Sequence, residues 1–393
     1  MDLYLQFGHG MMGHCRYLIS KWGEGTVILS PRDLKEEQLR KFSQELMDIN
    51  GSTLFDPQYY DPRANHKKLT EHEHWLDDFD TGMLSDFTYI QSRFEAIKAI
   101  NDYTSTEAYI IPSIMCDAVD KIWIDIQNVF LGASSTVFVD KEKYATIALK
   151  KDVLEDESSI QKLIDISEDW DVDGYYIVPE GTYLIEDSDW LSNLALLVAG
   201  LKFQGRKVIV GYSSHQMLYL GCVKADAIAS GTFLNVRSFS TGKFVETADD
   251  SISRRTTWYY CPQALSEYKL RALDAAKKEG VLDELKPYGR TNEYISTLFT
   301  TPKPSTSGFS ETLAFKHYLF ELKQQCLLST KSTFEDTLDF HKQVNDDALT
   351  FLQRMKRNGV RDTGRCYDTI ADYNFDAIRT IERELGGLLK RRW

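Results

Sequence analysis

The stretch 144–180 decides the fold, because it contains a strand, a helix and a second strand in succession. The runs "YATIAL" (144–149) and "DGYYIVPE" (173–180) are almost continuously apolar, which is typical of strands buried on both faces. Between them, "SSIQKLIDISEDW" (158–170) carries apolar residues at helical spacing. Strands that alternate with helices pair in parallel, so the stretch predicts a β-α-β unit.

The same alternation extends in both directions along the chain. Six further runs predict strands: "LYLQFG" (3–8), "GTVILS" (25–30), "STLFD" (52–56), "AYIIPS" (108–113), "KVIVGY" (207–212) and "ADAIASG" (225–231). Helical patterns lie between strands at 36–49 and 191–205. Eight strands within roughly 230 residues favour an α/β fold of the (β/α)8 TIM-barrel type over an open doubly wound sheet. The sequence contains neither GxGxxG nor GxxxxGKS, the phosphate-binding motifs of open nucleotide-binding sheets.

The pattern becomes purely helical in the last quarter of the chain. We therefore expect a barrel domain over 1–300, a linker at "TPKPSTSG" (301–308) and a helical appendage over 309–393. The appendage is also a candidate surface for a homodimer.

Composition limits the classes of function. No run of about 18 apolar residues predicts a membrane span, and the first residues do not resemble an export signal. Six scattered cysteines suggest reduced thiols, so we expect a cytoplasmic protein without a metal or other cofactor. The net charge of −13 opposes nucleic-acid binding by the whole surface, but "SRRTTWYY" (253–260) and "RMKRNGVRDTGR" (354–365) leave a local basic face open.

Catalytic residues of these barrels lie at the carboxyl ends of the strands. The strand ends carry polar, charged and glycine residues in this sequence: Gly8, His9, Asp56, Lys150, Lys151, Glu180 and Tyr212. Two carboxylates, flexible glycines and several tyrosines at one mouth suit a flat polar ligand.

Each candidate also has a purely structural interpretation. Asp56 either acts as a site acid or accepts loop N–H groups, and Glu180 either lines the site or pairs with a lysine. His9 is either a base or a packed histidine, while Tyr59 and Tyr60 either stack on a ligand or pack within a lid. The histidines of "EHEHW" (71–75) would hold a metal only with further ligands.

Several strand-end segments together resemble the tRNA-guanine transglycosylase superfamily, including its DNA-modifying deazaguanine branch. The resemblance covers about residues 1–240 and rests on "LYLQFGHG", "TLFDPQYY", "DGYYIVPE", "KVIVGYSS" and "ADAIASGTFLNVR". It implies a (β/α)8 barrel that breaks the N-glycosidic bond of a base in nucleic acid. It further implies Asp56 as acid/base and Glu180 near the base, and it matches Asp226 to the first of two family aspartates.

The sequence departs from that family at two points. Ala229 occupies the position of the family's nucleophilic aspartate, and the zinc-binding cysteines have no counterpart. Loss of the nucleophile favours hydrolysis over base exchange, because a carboxylate can activate water or stabilise an oxocarbenium-like sugar without a covalent intermediate. We therefore expect a glycosylase that removes an extruded, modified base from DNA rather than tRNA.

The sequence is also compatible with three other functions. One is a base-exchanging transglycosylase, and another is a non-catalytic barrel that binds a modified base or a protein. A third is an unrelated barrel hydrolase that acts on a small nucleoside. Glycosylases that attack modified phage DNA, and hence antiphage defence, offer a biological setting.

The glycosylase hypothesis assigns two further sets of residues. The expected base-binding residues are Gly8, His9, Gln58, Tyr59, Tyr60, Tyr212 and Asp226. The expected contacts to the nucleic-acid backbone are Arg63, Lys67, Lys68, Lys150, Arg237, Lys243, Arg254 and Arg255.

Overall fold

The eight predicted strands are present and parallel. A computed structural model describes residues 1–76, 81–245, 256–288, 292–361 and 364–393. The strands are β1 (Asp2–Gln6), β2 (Gly25–Leu29), β3 (Gly51–Phe55), β4 (Ala108–Ile111), β5 (Glu142–Leu149), β6 (Gly174–Pro179), β7 (Lys207–Val210) and β8 (Ala227–Ser230). The strand runs of the sequence are therefore confirmed to within a few residues.

The strands form a nearly closed barrel, which confirms the predicted (β/α)8 fold class. Their order is β3-β2-β1-β8-β7-β6-β5-β4, so β3 and β4 are the two edges. Across this junction, which we call the seam, the Glu107 N–H donates to the Thr53 carbonyl oxygen at 3.0 Å. The carboxyl ends of all eight strands consequently open on the same mouth.

The barrel strands form where continuous apolar runs can be buried on both faces. Every residue of β6 is buried, and β6 pairs in register with β5 from Tyr144–Gly174 to Leu149–Pro179. Helices alternate with the strands: α1 (Met12–Trp22), α2 (Glu36–Met47), α3 (Lys67–Thr70), α4 (Phe87–Thr104), α5 (Lys121–Val137), α6 (Lys151–Glu155), α7 (Glu157–Ser167) and α8 (Ser188–Phe203). Short 3₁₀ turns lie at Thr81–Ser85, His215–Val223, Leu234–Val236 and Thr241–Phe244.

Aspartate caps fix where three of these helices begin. The side chains of Asp86, Asp120 and Asp156 accept hydrogen bonds from backbone N–H groups in the first turns of α4, α5 and α7. Such a cap satisfies a donor that the helix itself cannot pair and typically stabilises it by about 1 kcal/mol.

The chain divides into two compact units, and this division differs from the expected one. The first unit contains residues 1–183, 193–214 and 223–249, and the second contains 184–192, 215–222 and 250–393. The segment 301–308, expected to be a linker, is part of the second unit, where the Ser305 N–H donates to Asp274 Oδ1 at 2.8 Å. Residues 184–192 and 215–222, which lie between barrel segments in the sequence, also belong to the second unit. Contacts between residues so far apart in the sequence leave no local pattern, so the sequence could not predict this division.

The second unit is mostly helical but also contains an antiparallel hairpin. The hairpin strands are β9 (Trp258–Cys261) and β10 (Ser266–Lys269). The helices are α9 (Leu270–Lys278), α10 (Ser296–Thr300), α11 (Glu311–Leu328), α12 (Phe334–Arg357), α13 (Ala371–Thr380) and α14 (Gly386–Arg392), with a π-helical turn at Ile381–Leu385. Within the described ranges, every helix is too short or too polar to cross a bilayer.

Candidate active site

Asp56 lies directly after β3, at the carboxyl end of the barrel. Its N–H donates to the Leu29 carbonyl oxygen at 3.1 Å, which continues the pairing of β3 with β2 for one more residue. Its side chain is only 1% exposed. The sequence-predicted carboxylate is therefore enclosed within the first unit.

Three donors hold the two carboxylate oxygens of Asp56. The Tyr60 hydroxyl and the Gln58 N–H donate to Oδ1 at 2.8 and 3.0 Å, and the Tyr212 hydroxyl donates to Oδ2 at 3.2 Å. Gln58 and Tyr212 also contact each other, since the Gln58 amide donates to the Tyr212 hydroxyl oxygen at 3.1 Å. Four of the predicted site residues thus form one hydrogen-bonded cluster.

Two residues of this cluster have unusual backbone conformations. Gln58 has φ +62° and Tyr212 has φ +50°, in the left-handed region that residues with a side chain seldom adopt. Gln58 is held there by its side-chain oxygen, which accepts from the Ser30 hydroxyl at 3.1 Å and the Arg32 N–H at 3.2 Å. Strain of this kind concentrates at functional sites, where the surroundings enforce it.

The environment raises the affinity of Asp56 for a proton. Burial raises the pKa of Asp56 to about 6, although the donors Tyr60, Gln58 and Tyr212 and the nearby Lys243 act in the opposite direction. Burial, and secondly the Asp56 charge, raises the pKa of both tyrosine hydroxyls well above its usual range. The tyrosines therefore remain donors, while Asp56 can exchange a proton near neutral pH.

An aromatic cover, formed by residues 239–244, lies against these tyrosines. The Phe239 ring centre is 5.0 Å from that of Tyr60 and 4.9 Å from that of Tyr212, both edge to face. Phe244 packs 5.8 Å from Tyr60. The Gly181 N–H donates to the Phe239 carbonyl oxygen at 3.1 Å and so ties the cover to the loop after β6. The cover therefore packs on the two tyrosines that hold Asp56.

Lys243 belongs to the cover and was expected to contact a nucleic-acid backbone. Its Nζ instead lies 3.4 Å from the centre of the Tyr212 ring, a cation–π arrangement. Burial of the amine, and secondly the positive charge of Arg32, lowers the pKa of Lys243 well below its usual range. Lys243 Nζ also donates to the Asn235 carbonyl oxygen at 3.4 Å, and the residue is half-buried. A phosphate contact by Lys243 stays a prediction.

The sequence reasoning missed two polar residues inside the barrel. Tyr176 on β6 donates to Gln6 Oε1 on β1 at 2.9 Å, and both side chains are fully buried. Burial, and secondly the Asp56 charge, raises the pKa of Tyr176 well above its usual range. The available signal was Gln6 itself, a polar residue within the apolar run "LYLQFG".

Asp226 does not lie at the candidate site. It precedes β8 and is therefore at the opposite end of the barrel, where Oδ2 accepts from Lys202 Nζ and the Val208 N–H, both at 2.7 Å. The prediction that Asp226 binds the base is therefore wrong, because Asp226 lies one strand length away from the mouth of the barrel.

Two other expected contacts are internal. The Tyr59 ring stacks 5.9 Å from His74, and its hydroxyl donates to the His74 carbonyl oxygen, so it packs beside the barrel rather than at Asp56. Arg237 is 3% exposed and donates through Nε to the Gly231 carbonyl oxygen at 2.8 Å, so it does not face a phosphate.

The remaining backbone-contact candidates differ in exposure. Arg63 and Lys67 are exposed, whereas Lys68 Nζ donates to the Asp33 carbonyl oxygen at 3.2 Å. Arg254 and Arg255 lie outside the described residues. Phosphate contacts by Arg63 and Lys67 stay a prediction.

The two candidate residues that follow β1 differ in their exposure to solvent. His9 is exposed, while Gly8 is buried, and a Cβ on Gly8 would lie 2.8 Å from Val236 Cγ1. Gly8 is therefore required for close packing of the segment after β8. Base binding by either residue stays a prediction.

Glu180 follows β6 and has a different environment from Asp56. It pairs with Lys150 Nζ at 3.3 Å, and both side chains are partly exposed, at 22% and 30%. This is the lysine pairing that the sequence left open. A catalytic role for Glu180 stays a prediction, which the substitution Glu180→Gln tests.

The histidines of "EHEHW" have structural contacts. His72 Nε2 lies 3.0 and 2.9 Å from the Pro31 and Leu34 carbonyl oxygens, and His74 Nε2 lies 3.3 Å from that of Pro57. Burial lowers the pKa of His74 to about 3, so it is neutral. Among the described residues, no group of three or more His, Cys, Asp and Glu side chains could hold a metal ion.

The chain matches no family model and no curated protein sequence. Solved structures that it is similar to include the carboxyl transferase domain of pyruvate carboxylase from Rhizobium etli with pyruvate and biocytin, at 9% identity and a TM-score of 0.34, covering 98% of this chain and 61% of that one. Another is Rhizobium etli pyruvate carboxylase with the allosteric activator acetyl coenzyme A, at 9% identity and a TM-score of 0.34, covering 98% of this chain and 36% of that one. The chain thus spans less than two thirds of the length of either, and a likeness this distant carries no argument about activity.

Proposed function

We propose that the barrel is an N-glycosylase that removes a base from nucleic acid, with Asp56 as its general acid. The observation that carries the proposal is the buried Asp56 carboxyl group, held by three donors at the carboxyl end of a barrel strand. A carboxyl group that is protonated up to about pH 6 suits donation of a proton to a leaving group.

The proposed reaction balances with one proton and one water molecule. Asp56 gives its proton to the base as the bond from the sugar C1′ to nitrogen breaks, and the bonding electrons leave with the base. The resulting Asp56 carboxylate faces an oxocarbenium-like sugar, to which water adds, and the proton released by the water restores Asp56. Tyr60 and Tyr212 would stabilise the carboxylate at the moment when it forms.

The surrounding groups support recognition of a flat, polar ring. The amide of Gln58 and the tyrosine hydroxyls provide hydrogen bonds, and the rings of Phe239 and Phe244 provide stacking faces once the aromatic cover moves. Enzymes that act on a base usually extrude it into such an enclosed pocket. A modified base in DNA, and with it a role in antiphage defence, stays part of the proposal.

Lys243 favours a second candidate at the same site. Burial lowers the pKa of the Lys243 amine, which favours the unprotonated, nucleophilic form. Lys243 Nζ would attack C1′ as the bond from C1′ to the base breaks, and the base leaves with the proton of Asp56. The Asp56 carboxylate would then take a proton from the attached amine and pass it to O4′ as the C1′–O4′ bond breaks. The sugar ring opens, and a protonated imine joins the lysine to C1′. Both candidates release a base, but only the second leaves the protein covalently attached.

One set of variants tests both candidates. DNAs and tRNA with different modified bases are incubated with the wild type, Asp56→Asn, Lys243→Met and Glu180→Gln, and released bases are measured by mass spectrometry. The exposed Asp125→Asn, on α5, is the matched control. We expect loss of base release by about 10²-fold or more for Asp56→Asn and an unchanged rate for Asp125→Asn.

Three outcomes separate the candidates from the alternatives. Borohydride trapping of a protein–DNA adduct that needs Lys243 would select the amine mechanism. Incorporation of a labelled free base would select base exchange. If Asp56→Asn releases bases as fast as the wild type, or no substrate loses a base, the glycosylase proposal is wrong.

A further inference from the structure

A cavity of about 270 Å³ is lined only by residues of the second unit, whereas the residues of the proposed reaction belong to the first. Its apolar walls include Leu218, Leu265, Leu328 and Phe340. The volume is close to the lower end of ligand pockets, which run from about 300 to 1,000 Å³. It suits a molecule of one or two rings.

Asn345 on α12 lines the cavity and has an unsatisfied donor. The side chain is 5% exposed, and Oδ1 accepts from the Tyr367 hydroxyl. That bond orients the amide, and Nδ2 is buried with no hydrogen-bond partner in the described part of the chain. An unpaired buried donor typically costs about 1–3 kcal/mol, which a ligand that accepts its hydrogen bond would recover.

Gln263 provides the complementary acceptor on the same cavity. Its Nε2 donates to the Glu284 and Lys286 carbonyl oxygens at 2.8 and 2.7 Å, which fixes the orientation of this amide as well. Its Oε1 is buried and accepts no hydrogen bond from any described residue. Two residues that line the cavity thus have a buried polar atom without a hydrogen-bond partner among the described residues, a donor on Asn345 and an acceptor on Gln263.

The charges around the cavity oppose an anionic ligand. Glu321 and Asp347 are among the lining residues, whereas the described lining contains no lysine or arginine. His341 also lines the cavity, and burial lowers its pKa to about 4, so it carries no charge near neutral pH. An anion would lose its hydration without gaining a positive partner.

We propose that this cavity binds a small, neutral, ring-shaped molecule that carries an amide or an amide-like edge. Its carbonyl oxygen accepts from Asn345 Nδ2, its N–H donates to Gln263 Oε1, and its ring lies against the apolar walls. The site is independent of the proposed glycosylase reaction, since its lining residues all belong to the second unit.

A pair of probes with the same shape and different charge tests the proposal. Nicotinamide and nicotinate are titrated into the full chain, with binding followed by calorimetry and by saturation-transfer NMR. We expect saturable binding of nicotinamide, and binding of nicotinate weaker by about tenfold or more because of the lining carboxylates. Benzamide and cytosine serve as further neutral probes.

Two variants locate the binding. Val344→Trp fills the cavity, and Asn345→Asp keeps the acceptor for Tyr367 while it removes the free N–H. Each should weaken nicotinamide binding by about tenfold or more. Val139→Trp, at an exposed valine of the first unit, is the matched control and should bind as the wild type does.

The outcomes that overturn the proposal are equally specific. The proposal is wrong if nicotinate binds as tightly as nicotinamide. It is also wrong if Val344→Trp or Asn345→Asp retains full binding of nicotinamide. Saturable binding of none of the three neutral probes to the wild type would also refute it. Melting curves identify a variant that has lost its fold, and the other variant then decides.

Discussion

At the scale of single residues, Asp56 combines two properties that conflict energetically. Its carboxyl group is enclosed, which favours the protonated form, and it accepts three hydrogen bonds, which favour the ionised form. Burial has the larger effect, so the pKa rises to about 6. We therefore expect the titration of Asp56 to affect the stability of the fold as well as the proposed activity.

We expect the folded state to lose stability as pH rises from the ordinary carboxyl pKa of 3.8 to about 6, because only the unfolded chain ionises freely there. Asp56→Asn abolishes this loss. Between pH 4.5 and pH 8 its free energy of unfolding should therefore gain about 2 kcal/mol relative to the wild type. Urea denaturation at both pH values measures this difference, and Asp125→Asn should show none.

Tyr212→Phe removes one donor to the Asp56 carboxylate and leaves the ring in place. The ionised form of Asp56 loses a stabilising contact, so its pKa should rise further. If Asp56 is the acid, the decline of base release with rising pH should move to higher pH. Tyr175→Phe, whose hydroxyl bonds the Ser167 carbonyl oxygen at 2.8 Å, should leave that profile unchanged. Equal shifts in both variants would argue against the assignment.

At the scale of elements, the end of β8 is packed too tightly for any side chain. A Cβ on Gly231 would lie 2.6 Å from the Gln6 carbonyl oxygen and 2.5 Å from Val236 Cγ2. Gly231→Ala must therefore separate the segment after β8 from β1, and we expect it to cost about 1–3 kcal/mol of unfolding free energy. Gly242→Ala meets only Ser240 Oγ, at 3.6 Å, and should stay within about 0.5 kcal/mol. Thermal melts of both variants check this contrast.

The strands could be predicted because a strand that is buried on both faces has a continuous run of apolar residues. The position of Asp56 followed from the strand that precedes it, and Gln58, Tyr60 and Tyr212 followed from their nearness to strand ends. Asp226 was misplaced because "ADAIASG" does not reveal which of its polar residues comes before the strand. The inward turn of Lys243 and Arg237 depends on packing between distant segments, which no local pattern encodes.

At the scale of the whole molecule, the net charge of −13 makes nucleic-acid binding depend on local cations. Arg63 and Lys67 are the exposed candidates on the barrel side of the chain. The double variant Arg63→Glu/Lys67→Glu should weaken DNA binding and reduce the slope of log affinity against log salt by about 2. Lys277→Glu/Lys278→Glu, at the end of α9, is the control pair. If the two double variants weaken DNA binding equally, the prediction that Arg63 and Lys67 form the DNA contact is wrong.

The seam between β3 and β4 has a consequence for how the barrel fluctuates. Asp56 follows β3, a strand that has a ladder partner, β2, on one side. On the other side it has no ladder partner among the described strands, although Thr53 accepts from the Glu107 N–H. Amide protons of β3 and β4 should accordingly exchange with solvent before those of β7 and β8, which are paired on both sides. We therefore expect the edge formed by β3 and β4 to open more readily than the strands opposite. Asp56, the proposed proton donor, follows one of these two edge strands, so it could shift towards a substrate while β7 and β8 keep their pairing.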